Sequence, residues 1–383
     1  MSKKHSVNNI LLVANYPSDV GYAWWLMENF WAEISKCFSE QNRATFLVYP
    51  KIDRIPQKIL ESPLKILEHD FSDRTWSGLR SLRSIISTNR ISSVYLTDRR
   101  PYDWFYFCLR RCGVRQIINH YHWANDSTPL PPVRKYLTTL IHRIGFFSCD
   151  HYIGVSKCVR DRYIKPGCIP AYKCSYVLNG IEPITPDASL HDYVYISFDI
   201  PFNTFVVVTV GRACFYKGYE LLIKCANFLI NDLGEKDVYF LQIGDGPDLE
   251  TFKKMASQYG LERKVLFAGH RNDVRKILPS CHIGVQFSKG EAFSLAILEY
   301  LSAGLATLAP DNCGNPEAIE HGVTGILYGE QRDYKEIAKI IQSLLHNEQY
   351  RERLGSNAIK SVNEKFNITR TNKELISLIE KIM

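Results

Sequence analysis

FVVVTVGRACFYKGYELLIKCANFLINDL, residues 205–233, joins two hydrophobic periodicities at a glycine. Residues 205–210 are β-branched and aromatic with no polar alternation, the pattern of a strand covered on both faces. From Tyr219 onward the apolar residues return at three- and four-residue intervals, the pattern of a helix with one covered face. A strand covered on both faces needs helices on each side, so repeated strand-loop-helix units predict a parallel, doubly wound sheet. The plan recurs downstream in strand-like runs 238–243, 265–268, 283–287 and 306–309, with helical runs 249–259 and 294–303. It also recurs upstream, in strand-like runs 10–16, 44–49, 93–97, 116–122 and 152–155 and amphipathic stretches 22–38, 75–87 and 133–146. Residues 182–203 carry three prolines among acidic and polar residues and no helical period, and read as a join. The expectation is an α/β chain of two Rossmann-like doubly wound domains facing a central cleft, over 1–185 and 186–365, with a C-terminal helix at 366–383 packing back on the first.

Composition agrees with two globular domains. The chain has 383 residues, 45% hydrophobic and 23% charged, which excludes a disordered or collagen-like chain. No apolar run approaches the ~18 residues of a membrane span. The apolar stretch 10–14 after Met1-Ser2-Lys3-Lys4 is too short for a secretory signal, so a cytoplasmic protein is expected. The 11 cysteines include no C-x-x-C pair and no zinc pattern with histidine; they read as reduced thiols, and no metal is expected. Net charge is +7 and unevenly placed: residues 1–200 hold 25 Lys+Arg against 18 Asp+Glu, while 201–383 hold 22 of each. A basic half suits an anionic partner such as a membrane surface, a nucleic acid or a phosphorylated substrate, or is a solvated arginine-rich face.

In doubly wound sheets ligands bind beyond the carboxyl ends of the strands. Three motifs lie there. After 205–210 come Gly211-Arg212 and Lys217-Gly218, a loop whose glycine admits a diphosphate and whose cations suit its oxygens. After 238–243 comes Gly244-Asp245-Gly246-Pro247, with Leu249 where a dinucleotide fingerprint needs its third glycine, so a dinucleotide cofactor is disfavoured. After 283–287 comes Gly290-Glu291-Ala292-Phe293-Ser294-Leu295-Ala296-Ile297-Leu298-Glu299. It opens a helix whose first amides, at Phe293, Ser294 and Leu295, form an anion site. Glu291 and Glu299 would repel a phosphate and are better used on sugar hydroxyls; Glu299 is otherwise a plain helix-surface residue, though it stands among leucines.

These residues, with Phe267-Ala268-Gly269-His270, Gly304, Asn315-Pro316-Glu317 and Gly322-Val323-Thr324-Gly325, resemble the C-terminal half of retaining, nucleotide-sugar-dependent glycosyltransferases of the GT-B fold, the family-4-like group that includes relatives of glycogen and sucrose synthases. The resemblance covers about 205–330. Upstream, Val155-Ser156-Lys157 and Val177-Leu178-Asn179-Gly180-Ile181-Glu182 resemble the family's end-of-domain pattern. Where the family often has a double glycine near the donor phosphate, this chain keeps only Gly21. Asn119-His120-Tyr121-His122-Trp123 falls where the family carries a histidine near the transferred sugar. Alternation sends His120 and His122 to one side, with His122 favoured for the cleft.

The resemblance implies that a nucleotide diphosphate-sugar serves as co-substrate with no cofactor or metal. Gly21, Gly211, Gly244, His270 and the 293–295 amides would surround it, with Arg212 and Lys217 on the diphosphate, Glu291 on the sugar and Glu299 on the ribose. It implies transfer with retention to a glycan or lipid-linked acceptor, in cell-surface polysaccharide or lipopolysaccharide synthesis. The rivals are a GT-B sugar-nucleotide epimerase or hydrolase and a non-catalytic sugar-nucleotide-binding protein; a nucleic-acid binder lacks any motif. The stretch Arg99-Arg100-Pro101-Tyr102-Asp103-Trp104-Phe105-Tyr106-Phe107-Cys108-Leu109-Arg110-Arg111 sets five aromatics between arginine pairs, with further arginines at Arg80, Arg83 and Arg90. It reads either as a peripheral contact with an anionic inner membrane face or as a covering helix with solvated ends.

Overall fold

The computed structural model describes residues 9–19, 24–123, 130–185, 187–329, 331 and 333–383. Two compact units emerge, one of residues 1–178 with 371–383 and one of residues 179–370. Among the described residues, no helix is long and apolar enough to cross a membrane.

The first unit carries β1 (Asn9–Val13), β2 (Thr45–Tyr49), β3 (Lys65–Glu68), β4 (Ile91–Thr97), β5 (Gln116–Tyr121), β6 (His151–Gly154) and β7 (Cys174–Tyr176) in one sheet, ordered β3-β2-β1-β4-β5-β6-β7. Its pairings are parallel; Leu11 sits opposite both Phe46 and Val94. All five residues of β1 are buried, because helices cover both faces of the central strand. The C-terminal helix, Ile368–Ile382, is tied to this unit by Thr371 Oγ1 donating to the Leu178 carbonyl at 3.1 Å and by Asn29 Nδ2 donating to Asn372 Oδ1 at 2.8 Å.

The second unit carries β8 (Phe205–Val210), β9 (Val238–Ile243), β10 (Val265–Phe267), β11 (Ile283–Val285), β12 (Ala306–Pro310) and β13 (Ile326–Tyr328), ordered β10-β9-β8-β11-β12-β13, again with parallel pairings. Val207 points into a core with Phe240, Ile283 and Leu308, while Val206 and Val208 point into another with Leu241 and Tyr300. That division is why 205–210 lacks alternation: each face of the strand has its own core.

Both sheets are thus Rossmann-like. Strands β3, β7 and β13 escape the sequence reading because they are short edge strands. β3 exposes Lys65 and Glu68, so no continuous apolar run marks it. The stretch 182–203, expected to have no helical period, contains the short helix Tyr193–Phe198, anchored by buried Val194 and Tyr195. Its six residues are too few to display a period.

Candidate functional site

In the second unit β8 lies between β9 and β11, so the winding direction reverses there, the place where doubly wound sheets bind ligands. The loop after β8 makes a single 3₁₀ turn, Phe215–Lys217, and leaves it through Gly218 at φ +75°. A Cβ at Gly218 would stand 2.2 Å from the Phe287 carbonyl oxygen, so glycine is required for the turn to lie against the chain leaving β11. The two loops are then stitched together. Lys289 N–H donates to the Tyr216 carbonyl at 3.0 Å, and Tyr216 Oη donates to the Gly290 carbonyl at 2.5 Å.

This stitching brings two of the predicted site residues into contact. Lys217 Nζ donates to Glu291 Oε1 at 2.6 Å, and Gln286 Nε2 donates to the same oxygen at 2.9 Å. Both members of the ion pair are partly buried, where charge-assisted bonds are strong. Gln286 is buried and its Nε2 also lies 3.5 Å from Ser294 Oγ. Ser294 caps the helix Leu295–Ser302 by accepting from the Ile297 amide, and the amides before it cannot be used by the helix's own ladder. Phe293 is buried, and its carbonyl accepts from Asn179 Nδ2 at 3.3 Å. Glu299 sits one face down this helix and is 3% exposed, so it is not a plain surface carboxylate.

Arg212 is exposed on the same loop as Lys217. Gly211 and Gly244 are joined through Gln242, a fully buried residue of β9 whose Nε2 donates to both carbonyls, at 3.2 and 3.0 Å. A Cβ at Gly244 would lie 2.1 Å from the Gly211 carbonyl oxygen, so the loops after β8 and β9 can touch only with glycine there. His270 follows β10, one strand further out; it is exposed and its Nε2 lies 3.0 Å from Asn272 Oδ1. Gln242, Gln286 and Tyr216 are not singled out by the sequence, and Asn179 only as part of the end-of-domain pattern. The signal for the two glutamines was there: each is a lone amide at the end of an otherwise apolar strand run, and a buried amide must find partners.

In the first unit the equivalent reversal lies between β1 and β4. Gly21 falls outside the described residues. His120 and His122 do share one side, with ring centroids 4.2 Å apart. His120 is 1% exposed, hydrogen-bonded through Nδ1 to Tyr95 Oη and stacked on Phe30. Burial, with the neighbouring His122 second, holds its pKa well below the usual histidine value, so it is a neutral ring at physiological pH. His122 is less enclosed; its amide donates to Asp98 Oδ1 at 2.7 Å and its Nδ1 stands 3.6 Å from Asp98 Oδ2, too long for a hydrogen bond. Among the described residues no group of three or more histidine, cysteine or carboxylate side chains is arranged to hold a metal.

The family described as glycosyl transferases group 1 matches residues 197–361, inside the second unit. An uncharacterized glycosyltransferase of Methanocaldococcus jannaschii is 28% identical over 251 residues, covering 63% of this chain and 61% of the relative. An Escherichia coli UDP-Gal:alpha-D-GlcNAc-diphosphoundecaprenol alpha-1,3-galactosyltransferase is 26% identical over 226 residues, 57% of each chain. The alignments span less than two thirds of the length of these relatives. Anabaena HepE, solved in complex with UDP-glucose, superposes with a TM-score of 0.76 at 18% identity, covering 97% of this chain and 99% of its own, which establishes the shared fold.

Proposed function

We propose that this chain, which belongs to the group 1 glycosyl transferases of the GT-B fold, moves a sugar with retention from a nucleotide diphosphate-sugar to a glycan or lipid-linked acceptor in cell-surface polysaccharide or lipopolysaccharide synthesis at the cytoplasmic face. The observation that carries the reading is the Lys217–Glu291–Gln286 cluster at the reversal of the second sheet, beside a serine-capped helix start. A diphosphate there meets Lys217, the exposed Arg212 and the amides at 293–295, donors that strengthen as charge collects on the departing phosphate. Glu291, held by Gln286, is then placed to accept from hydroxyls of the sugar, and Glu299 from those of the ribose. The bond between the anomeric carbon and the phosphate oxygen breaks, its electron pair going to the phosphate. The acceptor oxygen bonds the anomeric carbon on the same face and passes its proton to that phosphate. The two cations supply the charge that a metal supplies in other transferases.

A screen of nucleotide sugars for slow, acceptor-independent release of nucleoside diphosphate tests the reading. One nucleotide sugar is expected to be hydrolysed well above the others, and an added acceptor to accelerate the release. Release that is fast and indifferent to any acceptor would make the protein a hydrolase, and no release from any donor would remove the activity.

A further inference from the structure

The helix Pro132–Ile144 in the first unit is built inside out. A helix laid on a sheet normally turns its apolar stripe inward. Here the residues buried beneath it are Thr138 and His142, while Val133, Tyr136, Leu137, Leu140 and Ile144 are 41% to 75% exposed. At about 100° per residue those five fall in one arc of about 100°, with Arg134 on one flank and Arg143 on the other. The orientation is fixed by polar contacts below: Lys173 Nζ donates to the His142 carbonyl at 2.8 Å, Tyr152 Oη lies 3.3 Å from His142 Nδ1, and Tyr102 packs edge-on against the same ring.

The apolar face continues past the helix. Gly145, at φ +81°, turns the chain, and Phe146 and Phe147 follow, both exposed. Phe147 lies 5.8 Å from Phe107 of the helix Trp104–Arg111, where Trp104 is also exposed. The stretch 99–111 read from the sequence therefore supplies only the margin of this face. Its Phe105, Tyr106 and Leu109 are core residues, and Arg110 is bound to Asp150 and the Ser148 carbonyl.

Charge says what covers the face. Residues 130–149 hold Arg134, Lys135 and Arg143 and no carboxylate. Asp126, just upstream, lies outside the described residues; of the described acids that flank the stretch in sequence, Asp103 accepts from the amide of Phe105 and Asp150 is bound to Arg110. The first unit as a whole has 27 Lys+Arg against 16 Asp+Glu, net +11, while the second has 20 against 24, net −4. An apolar and aromatic stripe edged by cations suits the boundary between acyl chains and anionic headgroups. A second copy of the same face would set like charges together.

We propose that the face formed by the helix 132–144, Phe146, Phe147 and Phe107 docks the first unit onto an anionic lipid surface, the helix lying in the headgroup plane. This docking goes beyond the transferase reading, and vesicle binding is read without donor or acceptor.

Flotation of the full-length protein with vesicles of phosphatidylcholine, alone or mixed with phosphatidylglycerol, decides it. Binding is expected on the anionic vesicles and weakened by salt. Leu137→Glu with Leu140→Glu should cut partitioning about ten-fold or more, and Arg134→Gln with Arg143→Gln about five-fold per cation removed. Circular dichroism confirms that each variant is folded, and donor hydrolysis without vesicles should be unchanged in both. Failure of wild type to bind, equal binding to neutral vesicles, or full binding by the folded leucine variant would overturn the proposal. So would light scattering that finds a dimer which the leucine variant dissolves while no vesicle binds. If vesicles bind but no donor is hydrolysed, the transferase reading fails and this one stands.

Discussion

The two units use one topology for different chemistry. Around the strand reversal of the second unit, buried amides and an ion pair hold two loops together, with Gln242 bridging Gly211 and Gly244 and Gln286 and Lys217 meeting on Glu291. Around that of the first, rings dominate: Tyr16 stacks on Trp24 at 4.0 Å, and His120 lies against His122, Phe30 and Tyr95. The unit with the excess of carboxylates is thus the one that carries Arg212 and Lys217 at its strand reversal, whereas the unit with net +11 shows an apolar stripe flanked by arginines on an outward helix. Net charge of a unit says little about its site; the charge that matters is what the loops at the sheet reversal deliver.

Removing that delivered charge should have the largest effect. Lys217→Ala takes away a contact to a developing anion, worth about 2–4 kcal/mol in the transition state. Turnover in a donor-hydrolysis or transfer assay should fall by about two to three orders of magnitude, while thermal melting stays near wild type because Glu291 keeps Gln286. Near-normal turnover would break the contrast between the units.

A smaller, sharper effect separates the two carboxylates. Calorimetry with a free nucleoside diphosphate should show Glu299→Gln weakening the nucleotide and Glu291→Gln leaving its affinity nearly intact while lowering turnover. Equal losses of affinity would undo the division of roles.

The smallest effect distinguishes the units by acid. Burial, with the Lys173 ammonium second, brings His142 and His151 down to about 4, and burial, with His122 second, holds His120 well below the usual value. In the second unit only His282, among the described residues, is lowered this way, also to about 4. Unfolded histidines titrate near 6.5, so between about 6.5 and 4 the unfolded chain holds more protons and stability falls as pH falls. Glu28, pushed up to about 7 by burial, acts in the opposite sense, but as one group against four, since burial lowers His69 as well. All six tryptophans lie in the first unit. The melting midpoint from tryptophan fluorescence should therefore drop more between about pH 6.5 and 5, within that window, than the midpoint from far-ultraviolet circular dichroism. Parallel shifts would contradict it.

Much of the fold was legible because central parallel strands must be apolar on both faces: β8 and β9 were bounded to the residue in a single sequence. Edge strands β3, β7 and β13 were not, since nothing forces three or four half-exposed residues into a recognisable run. The loop residues 211–218 and 290–295 announced themselves by composition, yet nothing in the sequence says that Lys217 reaches Glu291, 74 positions away; that contact depends on the close approach of Gly218 to Phe287. The sequence marks the inverted helix 132–144 only as amphipathic, because a helical period shows that a stripe exists and not which way it faces.

The central claim is that the strand reversal of the second unit holds a nucleoside diphosphate through Arg212 and Lys217. Titration calorimetry of the full-length protein with uridine, adenosine and guanosine diphosphates, beside the matching nucleosides, tests it most directly. The account predicts that one diphosphate binds at a single site, that its nucleoside binds far more weakly, and that Arg212→Ala and Lys217→Ala each reduce the diphosphate affinity. Diphosphate and nucleoside binding alike, or a diphosphate affinity indifferent to both substitutions, would contradict it.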